Sequence, residues 1–203
     1  MMSPMNSDPG RKIKTHRLDT PLTGDKISRL RSGDILYLSG TIYGARDAAH
    51  KRMLEELRSG KELPLDISDN TIFYVGPSPA PPGKKSGSIG PTTAARMDSV
   101  TEPLLGLGLK AMIGKGRRSD ELRQLCKKHK AVYLIAVGGI AAYLASKVSG
   151  IEAAAYEDLG PEAIHRLQVK DFPLFVAYDI YGGDIYKWCR PVPANRISSP
   201  SGL

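Results

Sequence analysis

The run Ala131-Val132-Tyr133-Leu134-Ile135-Ala136-Val137 is the strongest buried-strand signal in the chain. It is apolar throughout and ends in Gly138-Gly139, the length and boundary of a buried strand. The small residues of 140–148 then read as a helix. The same alternation fills the middle third of the sequence. Ile35-Leu36-Tyr37-Leu38 is β-prone and bounded by Gly33-Asp34 and Ser39-Gly40. After it, Ala49, Met53, Leu54 and Leu57 recur at helical spacing and predict a helix over 46–58. Thr71-Ile72-Phe73-Tyr74-Val75 is the next strand, and Leu109-Lys110-Ala111-Met112-Ile113 another. Residues 119–129 form an amphipathic helix with Leu122, Leu125 and Cys126 on one face. A short strand over 153–156 follows, and a late one over 175–179 that turns through Gly182-Gly183. The prolines of 77–87 remove ladder donors and make that stretch a loop. Strands alternating with helices predict an α/β sandwich. No internal repeat is visible.

At 203 residues, with 41% hydrophobic and 25% charged residues, the chain suits one ordinary globular core. Residues 1–19 are read as a flexible N-terminal segment, 20–190 as a single compact domain and 191–203 as a loose tail. No apolar run approaches the roughly 20 residues of a membrane span. The N-terminus lacks the apolar core of a secretory signal. A soluble cytoplasmic protein that avoids membranes is the expectation.

Cys126 and Cys189 are the only cysteines. They make no disulfide framework or zinc-finger spacing, and they are too few for a cubane cluster. Cys126 reads as a buried small hydrophobe; Cys189 is given no role. His16, His50, His129 and His165 are scattered and pair into no metal site, so no metal-binding or cofactor-binding residue is expected on this chain. His50 is the histidine nearest to a candidate site residue, four positions after Arg46.

Three cationic segments stand out. In Gly90-Pro91-Thr92-Thr93-Ala94-Ala95-Arg96-Met97-Asp98, a Gly-Pro reversal is followed by hydroxyls where a helix would start. Thr92 and Arg96 are four apart and would be neighbours on that helix. A hydroxyl at a helix N-terminus beside a guanidinium is a receptor for a carboxylate. Taken alone, an N-cap threonine followed by a solvated arginine is the commoner arrangement. Arg46 lies where Ser39-Gly40-Thr41-Ile42-Tyr43-Gly44-Ala45-Arg46-Asp47 passes from loop to helix. Lys115 lies between glycines that leave it uncrowded, although a lone Gly-Lys-Gly is more often a surface turn.

These segments, with Gly138-Gly139-Ile140-Ala141-Ala142 and Tyr156-Glu157-Asp158-Leu159-Gly160-Pro161-Glu162-Ala163, occur in an order that resembles the β subunit, or C-terminal domain, of class I iron–sulfur fumarate hydratases. The tartrate dehydratase β subunit is a close relative. The resemblance covers roughly residues 20–187. It implies a swivelling β/β/α domain and a hydro-lyase interconverting fumarate and malate in the TCA cycle. It also implies a [4Fe-4S] cluster held by a partner α subunit, and a heterodimer or α2β2 assembly that alone is active. In that family, positions matching Arg46, Thr92, Arg96 and Lys115 line the dicarboxylate site. Arg46 and Arg96 would clamp one carboxylate, Lys115 would add positive charge near the developing aci-carboxylate or the proton-transfer group, and Thr92 is a candidate proton abstractor. Thr92 and Lys115 are therefore the expected catalytic residues, although an unassisted threonine is a poor base. Gly138-Gly139 and the 156–160 stretch are read as structural, with Asp158 and Glu162 suited to a helix start.

Two alternatives stay open. One is an L-tartrate dehydratase β subunit, whose substrate differs by one hydroxyl. The other is a non-catalytic module of the same fold. The net charge of +8, with seven Lys or Arg in 115–130, raises nucleic-acid binding as well. No recognised nucleic-acid motif is present, and with aromatics at 6% stacking platforms are scarce. A dianionic substrate, and an acidic partner, account for the charge as well.

Overall fold

Four parallel strands carry the frame. They are β2 (Ile35–Gly44), β3 (Thr71–Phe73), β4 (Ala111–Gly114) and β5 (Val132–Ile135), paired in that order. The computed structural model describes residues 11–78 and 87–187. In β3, β4 and β5 alternate residues enter two separate cores. Phe73, Ile113 and Leu134 point into one, and Ile72, Met112 and Tyr133 into the other. A strand with both faces covered needs apolar residues at every position. That is why these segments read as continuous hydrophobic runs.

The long strand β7 (Ile164–Tyr178) closes the arrangement. It runs antiparallel to β2, with Gly44 opposite His165 and Ile35 opposite Phe175, and its end pairs with β5. On its other side it pairs with β6 (Val148–Ala155), while β1 (Thr15–Asp19) pairs parallel with β2. The first core lies within this ring of strands and takes in Leu36, Leu38, Leu167, Phe172 and Leu174. The turn α1 (Gly24–Ile27) and the short helix α5 (Ala141–Ser146) contribute Ile27 and Leu144 to it. The second core lies beneath α2 (Asp47–Arg58), α3 (Asp98–Gly106) and α4 (Asp120–His129), through Ala49, Met53, Leu104, Leu122 and Cys126. Burial of this extent contributes roughly 25 cal/mol per Å² of apolar surface.

A single domain of mixed helices and strands agrees with the α/β expectation. Several details differ from it. Residues 15–19, read as part of a flexible segment, form β1 because their backbone completes the free edge of β2. The strand at 35–38 continues to residue 44 through an irregularity between Leu38 and Gly40. The short strand at 153–156 starts at Val148, which shortens the helix before it. The late strand at 175–179 is only the end of β7. Its first two-thirds alternate buried and solvated residues and include Pro173, which masked the strand. Residues 1–10, 191–203, Cys189 and positions 79–86 of the proline-rich loop lie outside the described residues. Among the described residues, no helix is long and apolar enough to cross a membrane.

Candidate active site

Because β2 to β5 are parallel, the segments that leave their C-terminal ends emerge along one edge. Arg46 follows β2, Gly76 follows β3, Lys115 follows β4 and Gly138 follows β5. Ligands of open parallel sheets characteristically bind along such an edge.

Arg46 is the N-cap residue of α2 and makes no side-chain cap of its own. Its guanidinium reaches outward instead. Nη2 lies 3.1 Å from Glu162 Oε1, and Nε lies 3.4 Å from Asp47 Oδ2 in a geometry short of a hydrogen bond. The side chain crosses Gly76 closely: a Cβ there would lie 3.0 Å from both Cδ and Nη1 of Arg46. A side chain at position 76 would press the arginine off this path by a few tenths of an ångström. Glu162 also accepts a 2.8 Å hydrogen bond from the Ala48 N–H, so a distant carboxylate caps α2. The expectation that Glu162 serves its own helix start is corrected. Residues 157–162 form 3-10 turns broken at Gly160, and Glu162 serves α2. Asp158 likewise turns outward to a bidentate pair with Arg52.

Arg96 closes the 3-10 segment Ala94–Met97 that leads into α3. It donates from Nε to Asp47 Oδ1 and from Nη2 to Asp47 Oδ2, both at 3.1 Å. One carboxylate therefore touches both arginines. Burial disfavours the Asp47 anion. A hydrogen bond from its own backbone and the Arg96 and Arg46 guanidiniums outweigh that and hold its carboxyl below the ordinary carboxylate range.

Thr92 departs from expectation. No helix starts at it, so Thr92 and Arg96 do not share a helical face. Its N–H and Oγ1 both donate to the Tyr74 carbonyl, at 2.8 and 3.0 Å, and its carbonyl accepts from the Lys115 N–H at 3.1 Å. Thr93 and Lys115 form a parallel bridge, and helical geometry begins only at Ala94. The sheet edge has captured the backbone that the local sequence would offer to a helix. Gly114 permits the approach, since a Cβ there would lie 2.7 Å from Ala94 Cβ. Lys115 is exposed, and its ammonium has no ion-pair partner among the described residues. Its aliphatic stem passes Gly138, where a Cβ would lie 3.8 Å from Lys115 Cδ.

All four candidate residues thus reach one edge. Arg46 and Arg96 are joined through Asp47, and Thr92 and Lys115 through a backbone bridge. Asp47, Gly76 and Glu162 were missed as site residues. The one available signal was Gly76, a glycine directly after a strand.

His50 is buried at 1% exposure. Its Nδ1 donates to the Arg46 carbonyl at 2.9 Å, and its Nε2 has no hydrogen-bond partner among the described residues. Burial pushes its pKa down to about 4, so the ring is neutral at physiological pH. Behind the edge, the buried Arg118 donates to Asp98, Tyr74 Oη and Thr101, and lies over the rings of Tyr74 and Tyr133. Among the described residues, no group of three or more His, Cys, Asp or Glu is placed to hold a metal ion.

Residues 2–189 match the sequence family described as Fumarase C-terminus. The class I, anaerobic fumarate hydratase of Escherichia coli is 45% identical over 154 residues, which are 75% of this chain and 28% of that protein. Fumarate hydratase 1, mitochondrial, of Leishmania major is 42% identical over 154 residues, again 75% of this chain and 28% of the relative. The L(+)-tartrate dehydratase subunit beta of Escherichia coli is 35% identical over 184 residues, 88% of this chain and 90% of that subunit. The chain therefore spans under a third of the fumarate hydratases and nearly all of the β subunit.

Proposed function

The chain belongs to the fumarase C-terminus family, and from that premise we propose that it is the β subunit of a two-subunit hydro-lyase that interconverts fumarate and L-malate. The observation that carries this reading is the convergence of Arg46, Thr92, Arg96 and Lys115 on one sheet edge, with both arginines ion-paired to Asp47. Guanidinium matches carboxylate geometry bidentately, so Arg46 and Arg96 receive one carboxylate of the substrate. The Lys115 ammonium, without an ion-pair partner among the described residues, supplies further positive charge where a carboxylate gains electron density as the neighbouring carbon loses its proton. Thr92 presents a hydroxyl whose own proton is committed to the Tyr74 carbonyl, so its oxygen can accept a hydrogen bond from substrate. To act as a base it would first have to give that proton to another group, such as a carboxylate of the α subunit, with neighbouring cations lowering its pKa.

The donor set of this chain does not fit an iron–sulfur cubane. It has two cysteines, and burial pushes the Cys126 thiol up to about 12. We assign the [4Fe-4S] cluster to a cysteine-bearing α subunit, which would complete the site and supply Lewis-acid chemistry. The fold name we attach is the swivelling β/β/α domain; one core inside the ring of strands and a second between strands and helices support it. A heterodimer or α2β2 enzyme acting in the cytoplasm is the corresponding assembly.

A second substrate is raised by the similarity to an L(+)-tartrate dehydratase subunit beta. One experiment separates the readings. The chain is co-expressed with a cysteine-bearing α subunit, purified anaerobically and assayed with fumarate and with L-tartrate, each subunit alone serving as control. Turnover of fumarate by the pair alone is the expected outcome. Turnover of tartrate instead keeps the site and changes the substrate. Silence with both, despite an intact cluster, makes the chain a non-catalytic module.

A further inference from the structure

Asp47 is ion-paired with both guanidiniums that the proposed site offers to a carboxylate, through two hydrogen bonds from Arg96 and a 3.4 Å contact with Arg46. The arginines come from different elements, Arg46 at the start of α2 and Arg96 ahead of α3, 49 positions along the chain from Asp47. Asp47 takes Nε and Nη2 of Arg96 and contacts Nε of Arg46, while Glu162 takes Nη2 of Arg46. Nη1 of each guanidinium has no hydrogen-bond partner among the described residues.

We propose that Asp47 is a positioning residue that locks Arg46 and Arg96 into one preset pair, leaving their Nη1 groups for an incoming substrate carboxylate. The proposal rests on the hydro-lyase reading above. A long arginine side chain loses rotamer freedom when a ligand immobilises it. A carboxylate that immobilises it beforehand moves that entropy cost from substrate binding to folding. The Asp47 and Glu162 charges also repel an arriving anion, but two guanidiniums and Lys115 outnumber them. Asp47 is also an acid in the first turn of α2. If that were its whole role, its loss would lower thermal stability and leave substrate affinity alone.

The test uses D47N in the assembled pair. We expect KM for the dicarboxylate to rise roughly tenfold while kcat stays within about threefold, the pattern of lost ground-state binding. In an R96A background, D47N should raise KM clearly less than it does in the wild type, because one of the two arginines it holds is already gone. Independently of turnover, the Arg96 Nε–H resonance of the isolated, 15N-labelled chain should be protected from exchange in the wild type and lost in D47N. An unchanged or lower KM in D47N, or an Arg96 Nε–H signal indifferent to the substitution, overturns the proposal. A wild-type pair that turns over neither fumarate nor tartrate defeats the hydro-lyase reading instead. The Nε–H comparison then still decides whether Asp47 locks Arg96.

Discussion

Thr92 illustrates how a single side chain is constrained by bonds it has already made. Its hydroxyl proton and its N–H both go to the Tyr74 carbonyl, so the oxygen presents lone pairs. Thr92→Val in the assembled enzyme should therefore lower kcat more than it alters KM. A change in KM alone would leave Thr92 a binding role only. His50 makes a prediction about stability. Burial holds its folded pKa near 4, against 6.5 unfolded. As pH falls below about 6.5 the unfolded chain takes up a proton that the folded chain refuses, so its stabilising contribution is full above that pH. The contribution is lost progressively toward pH 4, on the order of 3 kcal/mol in all. Urea unfolding at pH 7 and pH 4.5 should show a smaller difference in His50→Gln than in the wild type; an equal difference would exclude His50 as the source. Arg118 is the residue whose removal should matter most to folding. It is 2% exposed, its charge is matched by Asp98, and its other N–H groups donate to the Tyr74 and Thr101 hydroxyls. Arg118→Ala leaves Asp98 without its buried partner and should cost about 3–5 kcal/mol, measurable by denaturant titration.

At the scale of elements, the ends of helices are where local rules and tertiary contacts compete. α4 obeys local rules. Ser119 Oγ accepts from the Leu122 N–H, acids occupy the first turn, and Lys127, Lys128 and His129 occupy the last. Its exit is strained, because Lys130 holds φ 51 in the left-handed region. Lys130→Gly relieves that and should stabilise by a few tenths to about 1 kcal/mol, raising Tm by roughly 1–4 °C in a calorimetric scan. A lowered Tm would mean that the gain in unfolded-state freedom outweighs the relieved strain. α2 obeys tertiary rules. Arg46 cannot cap it, so Glu162 does, 114 positions away from the Ala48 N–H it accepts. Tyr156 to Glu56 and Arg52 to Asp158 fasten the same two elements together.

For the whole molecule, the closing of β7 onto β2 and β5 joins the two cores and holds the parallel strands in register, so that one edge carries every candidate group. That edge is half a site under the proposed function. The purified chain should develop no iron–sulfur absorbance after anaerobic reconstitution, and a stoichiometric cluster on this chain alone would overturn the two-subunit assignment. How much of this was legible beforehand follows a physical division. The strands at 71–75, 109–113 and 131–137 and the helices at 46–58 and 119–129 were readable because burial and period are properties of neighbouring residues. The same holds for the cationic character of Arg46, Arg96 and Lys115, which is carried by residue type. What depended on segments far apart in sequence was not readable. β1 exists because β2 had a free edge. Thr92 is extended because Tyr74 and Lys115 captured its backbone before a helix could form. Gly76 matters only because Arg46 crosses it, and Asp47 only because Arg96 arrives beside it. The sequence by itself determined the α/β class and the inventory of charged and hydroxyl groups, through local propensity and hydrophobic pattern. Only the tertiary structure decided which of those groups meet, because each meeting depends on a backbone path set by strand pairing over long separations.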